Sequence, residues 1–95
     1  MRLTVLPPTT TAVIKSIQAF SITISGGSSS NTATISSVDT SKAQIAYGGV
    51  TGGGSTEIRS ALVDLVLTNA TTVTASRSGA TTNSATAKGF VIEYY

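Results

Sequence analysis

The sequence predicts an all-β fold, a six-stranded antiparallel β-sandwich with an extended N-terminal arm. Three observations lead to this fold class. Apolar and polar residues alternate in six short segments, and this period of two is typical of half-buried strands. About a third of the 95 residues are Ser or Thr, and β-branched Thr suits the surface of a sheet. Most of the nine Gly residues fall between the segments, where they favour turns.

The chain divides into an expected arm, residues 1–12, and an expected sandwich domain, residues 13–95. Pro7 and Pro8 remove two hydrogen-bond donors and hold the backbone before them extended, and no core pattern precedes the domain. Two interpretations of the arm stay open at this point. It is either a frayed terminus or a segment laid on a neighbouring molecule, with three apolar contact residues, Leu3, Val5 and Leu6.

Three strands are expected in the first half of the domain. The first strand changes the face of its apolar residues part-way along, which predicts a bulge near Ala19. Residues 25–30 contain two Gly and predict a hairpin turn into a second strand, which runs through Ala33 and Ile35. Asp39 is expected to bond the backbone ahead of it at a corner. A short third strand over residues 43–47 then leads into a flexible glycine-rich loop, residues 48–55.

Three more strands are expected in the second half. Residues 58–67 form the most apolar strand, with apolar side chains on both faces, and a tight turn over residues 68–71 follows. The fifth strand surrounds Val73, and the last covers residues 85–95. The predicted core takes one face of each strand: Phe20, Ile22, Ile24, Ile35, Ile45, Val63, Leu65, Leu67, Val73, Phe90, Ile92 and Tyr94.

The small size of the chain predicts an oligomer. A 95-residue domain buries a limited fraction of its surface, and without Cys or His it has neither a disulfide nor a structural zinc site to add stability. Sharing apolar surface with other copies is the remaining route, so a homo-oligomer is expected. The interface candidates are the apolar residues assigned to the outward faces of the strands, together with the C-terminal residue: Leu62, Val66, Val91 and Tyr95. For the terminal tyrosines, stacking on a sugar or a partner stays open beside simple packing.

The residue types argue against an enzyme. Nucleophilic catalysis needs a base beside the nucleophile, yet the chain has no His and no Ser three residues before a Lys. A convergent carboxylate pair among Asp39, Glu57, Asp64 and Glu93 is the one catalytic alternative left open. The glycine spacing of residues 49–54 is that of a phosphate-binding loop, but Ser55 stands where that motif needs Lys. We therefore expect no catalytic residues, no cofactor and no metal.

Charge and hydropathy exclude two classes of partner. The six basic and four acidic residues are scattered singly, whereas nucleic-acid binding needs a clustered basic footprint with aromatic platforms. No apolar run approaches the roughly 20 residues that a membrane-spanning helix requires. The segment before Pro7 is too short for a signal-peptide core, and the absence of Cys fits synthesis in a reducing cytoplasm.

Four runs resemble small structural proteins of tailed bacteriophages: residues 14–18 (IKSIQ), 33–39 (ATISSVD), 65–77 (LVLTNATTVTASR) and 90–95 (FVIEYY). The order of these segments is also similar to the H-type lectin fold. Members of that fold are six-stranded antiparallel sandwiches that assemble as trimers. They occur both as sugar-binding agglutinins and as domains of phage fibres.

This resemblance implies a non-enzymatic structural protein of a phage particle. The expected role is a trimeric surface component, either a capsid decoration protein or a part of the tail tip or fibre. Its partners would be further copies of itself and other virion proteins, with the virion as its location and the host cytoplasm as its place of synthesis. The alternative is a carbohydrate-binding, H-type lectin-like module for host attachment, whose partner would be a host-surface glycan. No sugar-binding residue of the lectin family is assigned to a position in this sequence.

Overall fold

The structure is a computed structural model that describes residues 13–52 and 61–95. These residues form six strands in two three-stranded sheets whose paired strands are all antiparallel, so the predicted β-sandwich is confirmed. The strands are β1 (Ile14–Ile24), β2 (Ser30–Thr34), β3 (Ala43–Gly52), β4 (Asp64–Asn69), β5 (Thr72–Ser76) and β6 (Ala85–Tyr94). The predicted arm, with Leu3, Val5 and Leu6, lies outside the described residues, as do Glu57 and residues 58–60 of the strand predicted over residues 58–67. The predicted start of that strand is wrong in its described part, because residues 61–63 are not strand and β4 begins at Asp64.

Sheet A has the order β1-β6-β3 and sheet B the order β2-β5-β4. Among strands that follow each other in the sequence, β4 and β5 pair as a hairpin, whereas the other successive strands lie in different sheets. The predicted hairpin between the first two strands is therefore wrong. A turn does form there, with Ser28 N donating to Ser25 O at 3.0 Å and Gly27 at a φ of 87°. That turn carries the chain from one sheet to the other.

The core between the sheets is built from medium-sized and small apolar side chains. It consists of Phe20, Ile22, Ile24, Ile35, Val38, Val63, Val73, Ala75, Ala85, Ala87 and Val91. Six predicted core residues are in this set, and three more, Ile45, Leu65 and Leu67, are half-buried against it. The alternation predicted for β4 and β5 is thus confirmed, with Val73 and Ala75 fully buried in the middle of sheet B.

The predicted orientation of β6 is wrong. Its inward face carries Ala85, Ala87, Gly89, Val91 and Glu93, while Phe90 is 44% exposed and Ile92 and Tyr94 are only half-buried. The reason lies in β1, where the ring of Phe20 fills the space beneath Gly89. A β-carbon at Gly89 would lie 2.9 Å from that ring and 2.7 Å from Ala46 O. A bulky β1 side chain therefore requires a small residue on its β6 neighbour.

Two bulges shift the register of sheet A. The first lies at Lys15, between the pairs Ile14–Tyr94 and Ser16–Glu93, and not near Ala19 as predicted. The second lies at Gly48, and beyond it β3 continues through Gly49, at a φ of 115°, to Gly52. The loop predicted to begin at residue 48 is therefore strand as far as Gly52. Because Lys15 is the extra residue of the bulge, the even-numbered residues of β1 from Ser16 to Ile24 all lie on the inward face, and Ile17 faces outward.

Two turn predictions are confirmed. Asp39 Oδ1 accepts hydrogen bonds from Ser41 Oγ at 2.7 Å and Ser41 N at 3.0 Å, which lower the pKa of its carboxyl group. In the β4–β5 hairpin, Asn69 Oδ1 accepts a bond from Thr71 N at 2.9 Å. In both places the short polar side chain replaces a backbone acceptor and fixes the turn.

Candidate interaction surface

The outer face of sheet A carries aligned rows of apolar side chains. In the register of the sheet, Ile17 lies opposite Ile92, and Phe90 lies between Ala19 on β1 and Ala46 on β3. Side chains directly opposite each other on one face are close enough to contact. Ile14, paired with Tyr94, extends the rows to the end of the sheet. We call this set the apolar face: Ile14, Ile17, Ala19, Ala46, Phe90, Ile92 and Tyr94.

Several large side chains of the apolar face are exposed to solvent. Ile17 is 57% exposed, and Ile14 and Phe90 are nearly half exposed. At the end of the sheet, Val13 and Tyr95 are exposed too, and Tyr95 N donates to Val13 O at 3.0 Å. A single exposed apolar residue is ordinary, whereas a large contiguous apolar patch is typical of interaction sites, so the apolar face is a candidate for one.

Polar residues bound the apolar face. Gln44 Nε2 donates to Tyr94 Oη at 3.0 Å beside it. Further along the same sheet surface Ser21 lies opposite Lys88, and the hydroxyl oxygens of Thr23 and Thr86 are 2.9 Å apart. An apolar centre with a polar rim is the composition of a protein–protein interface.

A shallow pit indents the apolar face where it meets this polar border. Ala19, Ser21, Lys88 and Phe90 surround it, Gly48, Phe20 and Gly89 complete its lining, and its volume is about 450 Å³. The concavity arises because short residues stand beside the long side chains of Phe90 and Lys88. Its lining is suited to one or two aliphatic side chains from a partner.

The outer face of sheet B has the opposite character. Thr32 lies opposite Thr74, and Thr34 opposite Thr72. On β4, the other neighbour of β5 in the sheet, Val66 lies opposite Thr74, and Thr68 and Thr74 are hydrogen-bonded through their hydroxyl groups. Val66, 54% exposed, is thus an isolated apolar residue on a hydroxyl-rich surface. The sandwich therefore has one apolar and one polar outer face.

The four interface candidates taken from the sequence do not form one surface. Val91 is fully buried in the core, so its assignment to an outward face is wrong. Val66 lies on sheet B, and Leu62 lies in a cleft beside the start of β4. Tyr95 alone of the four adjoins the apolar face, through its backbone bond to Val13. The residues missed were Ile17, Phe90 and Ile92, and the uninterrupted apolar run in β6 was the available signal for a strand covered on both sides.

The buried charged side chains have structural partners. Glu93 accepts hydrogen bonds from Asp39 N at 2.9 Å and Ser16 Oγ at 3.4 Å, and Lys15 Nζ lies 3.9 Å from its carboxylate. Arg77 donates to Ser28 O through Nε at 3.2 Å and through Nη2 at 3.0 Å, and Nη2 also donates to Ser25 O at 3.2 Å. Both side chains anchor connecting segments to the sandwich, and these hydrogen bonds account for their burial.

No metal cluster or membrane helix is found in residues 13–52 and 61–95. Within these ranges no three potential metal-ligating residues come together. The same part of the chain holds no helix of the length and hydropathy needed to span a bilayer. Of the carboxylates considered as a catalytic pair, Asp39 is engaged by Ser41 and Glu93 by Asp39 N and Ser16, while Asp64 begins a strand of the other sheet.

A further concave feature is an open cleft beside the start of β4. Its lining includes the half-exposed ring of Tyr47, the aliphatic side chain of Leu62, the carboxylate of Asp64 and the polar residues Ser76 and Ser78, and its volume is about 510 Å³. An exposed ring beside a carboxylate and hydroxyl groups combines an apolar surface with hydrogen-bonding groups, as a sugar requires.

Comparison with known proteins finds no matching family, no matching curated protein and no matching solved structure. The apolar face of sheet A is therefore the main structural feature from which a function can be inferred.

Proposed function

We propose that this chain is a non-enzymatic structural protein of a bacteriophage particle, where it forms a trimeric surface component of the capsid or the tail tip. The observation that carries the proposal is the apolar face of sheet A. A sheet with apolar side chains on both sides needs a cover on each, and sheet B covers only one of them. The sequence resemblance supplies the phage particle as the setting and three as the number of copies.

The free energy of burial supports an assembly role. Covering a large apolar side chain stabilises a complex by roughly 1.5–3 kcal/mol before the costs of association are subtracted. The apolar face offers Ile14, Ile17 and Phe90 for this purpose, together with the half-buried Ile92. A domain of this small size gains proportionately more from such contacts than a large one.

Labelling of intact particles tests the location. Antibodies raised against the purified protein, applied to particles from the source of the sequence, are expected to decorate them at symmetric positions on the head or the tail tip in electron micrographs. Particles lacking the gene serve as the control and are expected to stay unlabelled. Protein found only free in the lysate, with no labelled particles, would contradict the proposal.

The second candidate function is carbohydrate binding for host attachment, favoured by the cleft that contains Tyr47 and Asp64. If the cleft holds a sugar, a glycan array is expected to show binding that Tyr47→Ala reduces at least tenfold, because the ring supplies the stacking surface. Val66→Ala is the control, since Val66 is exposed on the outer face of sheet B, outside the cleft. Absence of binding by the wild-type protein would remove this candidate.

A further inference from the structure

We propose that the N-terminal arm of one copy docks on the apolar face of a neighbouring copy, with Leu3, Val5 or Leu6 seated in the pit between Ala19 and Phe90. The inference rests on the proposed function in one respect, because it needs at least two copies in contact. It goes further by naming the segment that covers this part of the face and the site that receives it.

The pit provides the acceptor. Phe90 forms an apolar wall, and Ala19 and Ser21 leave room beside it because their side chains are short. Gly48 keeps the β3 side open, and a β-carbon there would meet Lys88 O at 3.0 Å. The result is a concave apolar site whose rim carries one cation, Lys88. Aliphatic side chains match the apolar part of this lining.

The arm provides ligands of that kind. Leu3 and Val5 are two residues apart, the spacing that places both on one side of an extended segment. Pro7 and Pro8 restrict the backbone angles open to the free arm, which lowers the entropic cost of docking. The arm joins the domain at Val13, whose carbonyl accepts from Tyr95 N at the end of sheet A that carries Ile14 and Tyr94.

The direction of the chain favours a neighbouring copy over the arm's own domain. The apolar rows run from Ile14 towards Ala19 in the direction of β1, so the chain enters from the far side of Ile14. An arm covering its own pit would have to reverse and run back about 20 Å, six residues at roughly 3.3 Å each. The β-branched run Thr9-Thr10-Thr11 favours extension. A turn at Pro7-Pro8 would leave only residues 1–6 to run back, about 20 Å, which is less than the outward stretch and the return to the pit together. An extended arm would instead be able to reach another subunit.

Cysteine cross-linking tests the contact on a clean background, because the chain has no Cys of its own. Val5→Cys and Ala19→Cys are made in separate, differently tagged chains, which are coexpressed so that mixed oligomers form. Mild oxidation is expected to yield a disulfide-linked species that carries both tags. Thr34→Cys, exposed on the outer face of sheet B, replaces Ala19→Cys as the matched control and is expected to cross-link at least tenfold less.

Four other results would contradict the arm proposal. The first two are equal cross-linking yields for Ala19→Cys and Thr34→Cys, and no species that carries both tags. The other two are disulfides only between two Ala19→Cys copies, and a purely intramolecular disulfide when one chain carries both cysteines. Ser21→Cys, on the same rim, reports on the pit if Ala19→Cys does not fold. The molar mass of the wild-type protein distinguishes failure of the arm contact from failure of the proposed trimer. A trimer without the cross-link removes only the arm contact, whereas a monomer removes the proposed trimer as well.

Discussion

Small residues on β6 determine how the two faces of sheet A are used. Gly89 leaves room for the ring of Phe20, and Ala85 and Ala87 let Ile24 and Ile22 on β1 pack into the core. Val91 completes this inward face and has no exposed surface. The larger alternate residues, Phe90 and Ile92, are thereby turned outward. At the scale of single residues, the apolar face is thus a consequence of core packing.

The burial of Val91 predicts a large stability difference between two matched substitutions. Val91→Ala is expected to lower the free energy of unfolding by about 2 kcal/mol, since it removes apolar contacts and leaves a cavity. For a domain of this size, that corresponds to a fall in Tm of roughly 8–16 °C. Val66→Ala, at an exposed site on sheet B, is expected to cost less than about 0.5 kcal/mol. Thermal melts of both variants provide the measurement, and similar curves would mean that Val91 does not face the core.

At the scale of strands, alternation predicted most of the fold. It identified the buried faces of β4 and β5 and the inward residues of β1 from Phe20 onward, because in these segments the large apolar residues occupy one set of alternate positions. In β6 the run from Phe90 to Ile92 is apolar on both faces, so alternation alone could not orient it. The bulges at Lys15 and Gly48 depend on pairing with β6, and the separation of β1 from β2 depends on tertiary packing. Local sequence does not contain either kind of information.

The candidate site was less predictable than the fold for the same reason. The sequence predicts Leu62 and Val66 as outward apolar residues, and both are exposed, but they lie on different surfaces. Finding the apolar face required the order of the strands, since Ile17, Phe90 and Ala46 come from three strands that are distant in the sequence. An interface built from cross-strand rows becomes visible only when the sheet is assembled.

At the scale of the whole molecule, the two outer faces of the sandwich differ in chemistry. Sheet B presents Thr hydroxyl groups that water can solvate, whereas sheet A presents Ile and Phe side chains that water solvates poorly. A molecule with this asymmetry is suited to an assembly in which the apolar faces meet protein and the polar faces meet solvent. We therefore expect the apolar face of sheet A to hold the subunits together.

Light scattering on two matched lysine variants tests this claim most directly. Ile17 and Val66 are both β-branched, both in strands and both slightly more than half exposed, but they lie on opposite outer faces. Wild-type protein is expected to have three times the mass of the 9.6 kDa chain. Val66→Lys is expected to keep that mass, while Ile17→Lys is expected to dissociate into folded monomers, because burying an unpaired ammonium group in the interface is costly. A wild-type monomer, or an Ile17→Lys variant that stays trimeric, would contradict the account.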